Sequence, residues 1–96
     1  MNPDEAVLLR VDEYSRMAEA YEAHVVPRFA PLAGWLVAGA NLRPNAMVLD
    51  VSTGTGLAAL LAAKAMGGTG LVVGIDLADG ALAVAQTNAA RAGLRN

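Results

Sequence analysis

Residues 46–56 read Ala46-Met47-Val48-Leu49-Asp50-Val51-Ser52-Thr53-Gly54-Thr55-Gly56. Ala46 to Val51 is apolar at every position except Asp50, and Ser52 to Gly56 then break the run. A short continuous apolar segment closed by turn residues reads as a buried strand. Leu57 to Met66 follows, rich in Ala and Leu with one lysine, which is a helix by intrinsic propensity. Gly67-Gly68 stops it and Thr69-Gly70 turns the chain. Leu71-Val72-Val73-Gly74-Ile75-Asp76 repeats the strand pattern. Asp79 opens another helix, placing an acid where the helix dipole favours it. That helix is expected to run to about Ala92 and to stop at Gly93. Strand, helix, strand, helix, with apolar strands, predicts an α/β fold built on a parallel βαβ unit with a right-handed crossover.

Glycines between a strand and a helix allow a tight turn and let a ligand approach the backbone. The following helix aims free N–H groups at such a ligand. Asp76, at the end of the second strand, falls where doubly wound folds hydrogen-bond ribose hydroxyls, about 20 residues beyond the glycines. A Gly-x-Gly alone is weak evidence; its placement between strand and helix, with an acid at the next strand end, is stronger. Two cofactor classes use this arrangement. Gly54-Thr55-Gly56-Leu57-Ala58-Ala59 satisfies the dinucleotide pattern, so an NAD(P)-binding module of an oxidoreductase is one reading. Asp50 favours the other. A carboxylate at the strand end repels a pyrophosphate and attracts the ammonium group of a methionine moiety.

Upstream, residues 1–44 read as helical. Asp4 to Leu9 is expected to form a short helix after Pro3. From Asp12 to about Val25, the set Tyr14, Met17, Ala18, Tyr21, Val25 makes one apolar helix face. Pro27 ends or restarts that helix, and Phe29 to Ala40 forms a second, apolar one. Gly39, Asn41 and Pro44-Asn45 close it. His24, the single histidine, stands near a helix end, where capping is a commoner role than catalysis. No catalytic residue is assigned.

The 96 residues are 55% apolar, and the mean hydropathy is +0.41. Such a surplus in a small chain implies either an efficient core or apolar surface covered from outside. With a net charge of −2 and no basic run, nucleic acid is not an expected partner. Zero cysteines exclude disulfides, thiolate catalysis and Cys-ligated zinc, and one histidine leaves no metal cluster to argue. The longest nearly apolar stretch, Phe29 to Ala40, is too short for a membrane span, which needs about 20 residues. The acidic start Met1-Asn2-Pro3-Asp4-Glu5 lacks the basic region of a signal peptide, so a cytoplasmic protein is expected.

Val48-Leu49-Asp50-Val51-Ser52-Thr53-Gly54-Thr55-Gly56 resembles motif I of the class I S-adenosylmethionine-dependent methyltransferases. Gly74-Ile75-Asp76-Leu77 looks like the end of their second strand. Tyr14-Ser15-Arg16-Met17-Ala18-Glu19-Ala20-Tyr21-Glu22 is similar to the segment preceding the core in the type 11 and ubiquinone/menaquinone-biosynthesis groups. The resemblance implies a Rossmann-like class I methyltransferase fold. Residues 1–44 would be a helical cap or lid, and residues 45–96 the first βαβα half of the cofactor domain. It further implies that Asp50, Ser52, Gly54 and Gly56 line the methionine end of S-adenosylmethionine. Asp76 would hold the ribose and Leu77 pack on the adenine. Tyr14 and Tyr21 would close over the cofactor, although aromatics at helical spacing more often serve packing. The methyl acceptor would be a small molecule. Ser52 departs from the family pattern by replacing its first glycine. The chain also ends where the family's third strand begins, so it reads as a fragment. By that expectation it is inactive alone, and it either self-associates through exposed strand edges or is completed by another chain.

Overall fold

The computed structural model describes residues 1–96, folded as α1 (Pro3–His24), α2 (Val26–Gly39), β1 (Met47–Val51), α3 (Leu57–Ala65), β2 (Leu71–Ile75) and α4 (Asp79–Arg91). β1 and β2 pair in parallel, in register from Met47 opposite Leu71 to Val51 opposite Ile75. This is the βαβα order expected of the N-terminal part of a Rossmann-like methyltransferase fold. Asn2 caps α1, its side chain accepting the Glu5 N–H at 2.8 Å. No helix is long and apolar enough to cross a membrane.

Three expectations are corrected. Asp4–Leu9 and Asp12–Val25 are not separate helices but one, α1, because nothing between Leu9 and Asp12 breaks the backbone pattern. α2 starts at Val26, ahead of the expected Phe29. Pro27 lies in its first turn, where a missing N–H costs no helix bond. The third correction concerns burial. Side chains alternate across a parallel sheet, so Met47, Leu49 and Val51 share a face with Leu71, Val73 and Ile75. All six are exposed. α3 packs on both strands and shields the opposite face, carrying Val48, Asp50, Val72 and Gly74. The strands are therefore half-buried on one side and exposed on the other.

The interior is made of small residues. Only 9 of 96 residues are buried, and the buried apolar ones are alanines and Met66. The accessible surface is 6630 Å². A compact monomer of this mass would expose about 5,200 Å². The surplus in composition thus appears as uncovered surface, Trp35 at 73% exposure included.

Small side chains do permit close helix contact. Ala18 of α1 meets Ala78 and Ala81 at the start of α4. Beside them, the Gly80 N–H donates to Ser15 Oγ at 3.1 Å. A Cβ on Gly80 would stand 2.5 Å from the Ser15 carbonyl oxygen, whereas one on Gly34 of α2 would meet nothing within 4 Å. Gly80→Ala is therefore expected to lower stability by about 1–2 kcal/mol in urea unfolding, overpacking outweighing its gain in helix propensity. Gly34→Ala is expected to raise stability by up to about 1 kcal/mol, the propensity gain alone.

Candidate functional site

The two parallel strands end at the same side of the sheet, which brings the segments after them together. β1 runs into Ser52–Gly56, and β2 into Asp76–Ala78. The Thr53 N–H continues the strand pairing by donating to the Ile75 carbonyl at 2.9 Å. One step on, the Gly54 N–H donates to Asp76 Oδ2 at 2.8 Å. The other oxygen, Oδ1, accepts the Ala78 N–H at 2.8 Å and so shapes the entry to α4. At the end of β1, Asp50 Oδ2 accepts the Thr53 hydroxyl at 2.8 Å.

The turn is left-handed at three alternate positions, with φ of 58° at Ser52, 59° at Gly54 and 90° at Gly56. Gly54 adopts this conformation at little cost, with open space around its Cα. Gly56 is needed for packing as well. A Cβ there would meet Leu60 Cδ1 at 2.6 Å and Ala85 Cβ at 3.2 Å, beneath α3 and α4. Ser52 holds the same backbone conformation with a side chain attached, so it carries strain that a glycine would not.

A cavity of about 570 Å³ opens over this turn. That is within the range of small-molecule sites. Ser52, Gly54, Thr55, Asp76 and Leu77 form one wall, and α1 forms the other with Arg10, Tyr14, Met17 and Tyr21. Arg10 and Asp76 are its only charged wall residues. The fold thus gathers Tyr14, Tyr21, Ser52, Gly54, Asp76 and Leu77 around one space. Asp50 and Gly56 are not in its wall; Gly56 faces a second hollow between α3 and α4. His24 is exposed and lines none of the larger hollows. No three His, Asp or Glu side chains are grouped to hold a metal ion.

Thr55, Val7 and Val11 are among the wall residues that the sequence reading does not single out. Thr55 is only 3% exposed, and its hydroxyl has no hydrogen-bond partner. Its position between two glycines was the available signal. Val7, Val11, Tyr14, Ala18 and Tyr21 alternate at spacings of four and three, a stripe that runs unbroken into the first turns of α1.

A glycine turn after one strand, tied to an acid after the next, defines a Rossmann-like α/β unit. Within that class, a family model described as a methyltransferase domain matches residues 42–96, and the chain belongs to that family. Nocamycin O-methyltransferase of Saccharothrix syringae is 37% identical over 81 residues, covering 84% of this chain and 29% of the relative. The chain thus spans under a third of that curated relative's length. No solved structure matches.

Ser52→Gly is expected to raise stability by about 0.5–1 kcal/mol, the relief of left-handed strain exceeding the entropy glycine loses on folding. Ser52→Val is expected to lower it by at least about 1 kcal/mol, because a β-branched residue tolerates this conformation worst. Chemical denaturation of the three proteins checks both signs.

Proposed function

We propose that this chain is the cofactor-binding part of an S-adenosylmethionine-dependent methyltransferase acting on a small molecule. One observation carries the reading: the Asp76 carboxylate and the glycine turn are joined at the floor of a cavity roofed by α1. The residues suit the cofactor. Each Asp76 oxygen accepts one backbone N–H and keeps a lone pair for a ribose hydroxyl. The buried Thr55 hydroxyl offers a further polar contact in the wall. Leu77, exposed beside Asp76, supplies an apolar surface for the adenine. Ser52 and Gly54 border the methionine end, while Asp50 adds negative charge at the strand terminus and Gly56 lets α3 pack closely behind the turn.

When bound, S-adenosylmethionine supplies an electrophilic methyl carbon on a sulfonium. The chain's own contribution is orientation and exclusion of water. Residues 1–44 serve as the lid, with Tyr14 and Tyr21 shielding the cavity, and residues 45–96 hold the cofactor. The name of the nocamycin relative supports oxygen as the receiving atom. Isothermal titration with S-adenosylhomocysteine and with NADH tests the reading. Binding of the former alone is expected, and Asp76→Ala should weaken it by about tenfold or more. Binding of NADH without S-adenosylhomocysteine would refute the proposal in favour of an oxidoreductase module.

Association through the sheet is a second element of the reading. It is favoured by the six exposed apolar side chains of β1 and β2, which form one uncovered face. Light scattering is expected to give a mass that rises with concentration. A monomer throughout the range would rule association out.

A further inference from the structure

Asn88 of α4 touches two elements remote from it in sequence. Its Nδ2 donates to Glu22 Oε1 of α1 at 2.8 Å and to the Thr55 carbonyl of the glycine turn at 3.2 Å. A side-chain amide nitrogen carries two hydrogens, and both are used. A carboxylate and a carbonyl only accept, so the nitrogen, not the oxygen, must face them. Asn88 is the one side chain that hydrogen-bonds both to α1 and to residues 52–56. At one end, Glu22 follows Tyr21 directly, so its position fixes the rotation of α1 over the cavity. At the other, the Thr55 carbonyl belongs to the peptide unit whose Gly56 N–H donates to the Thr53 carbonyl at 2.9 Å.

We propose that Asn88 is a positioning residue that ties the roof helix α1 to the glycine turn, setting the turn's geometry as well as the helix's seat. It lies outside the cavity wall and acts through Thr55 and Glu22. The proposal rests on the reading of this turn as the S-adenosylmethionine site. Hydrophobic contact alone does not supply the tie: Ala18 packs on Ala78 and Ala81 but makes no polar contact with the turn.

The isosteric Asn88→Asp replaces both donors with acceptors. It sets a carboxylate against Glu22 and against the Thr55 carbonyl. Adding Glu22→Gln restores a donor to the α1 link and leaves the Thr55 link broken. Amide hydrogen exchange and thermal unfolding are measured on wild type, Glu22→Gln, Asn88→Asp and the double variant. Asn88→Asp should lower Tm and speed exchange about tenfold, both in residues 18–24 and at Gly54 and Gly56. In the double variant, Tm and protection of residues 18–24 should return, while Gly54 and Gly56 stay about tenfold fast and S-adenosylhomocysteine binds about tenfold more weakly. Glu22→Gln alone should behave as wild type, since its carbonyl oxygen still accepts from Asn88. If protection of Gly54 and Gly56 returns with the helix, or never falls, Asn88 is merely structural and the proposal is overturned. The double variant carries the test if Asn88→Asp does not fold. Failure of wild type to bind S-adenosylhomocysteine would sink the cofactor reading, while the exchange pattern would still decide the role of Asn88.

Discussion

The Asp76 carboxylate accepts the Gly54 N–H on one oxygen and the Ala78 N–H on the other. A single side chain thereby joins the turn after β1 to the entry of α4. Parallel pairing makes this possible, because it brings both strand ends to the same side of the sheet. The polar groups exposed by the end of each strand are satisfied by a group that still faces the cavity. A ligand at this place would meet a carboxylate whose orientation is already set by two backbone donors.

The rest of the packing depends on small residues. Ala18, Ala78 and Ala81 let α1 settle closely on α4, and Gly80 accommodates the Ser15 backbone. Alanine contacts allow close approach but bury little apolar area. The same economy leaves the larger side chains of α2 and one face of the sheet exposed. Polar ties therefore carry more of the definition of the cavity than in a protein with a deep core. The Glu22–Asn88–Thr55 connection and the Ser15–Gly80 bond both join α1 to the βαβα unit.

The glycine turn also shows that similar motif positions serve different physical needs. Gly54 provides backbone freedom beside open space. Gly56 provides clearance for Leu60 and Ala85. Ser52, where the family pattern has a glycine, keeps the left-handed backbone and bears its cost. The departure at this position raises the energy of the turn.

Local signals in the sequence were enough for the parallel βαβα order, the extent of α3 and α4, and the family. Apolar runs, glycine stops and an acid at a strand end are written within a few residues of one another. The same signals placed Ser52, Gly54, Asp76 and Leu77 near one another, since each follows directly from a strand end. Helical spacing makes Tyr14 and Tyr21 legible as one helix face, and it is the family resemblance that sets them over the cavity they line. An apolar run states what a face tolerates, not whether another element covers it, so it overstates the burial of the strands. The charged residues of α1 obscure a stripe that continues from Val7, so the single helix reads as two in the sequence. Asn88 lies beyond local reading altogether. The roles of Asn88 depend on partners 66 and 33 residues away, and only the folded chain brings those acceptors within reach of one amide.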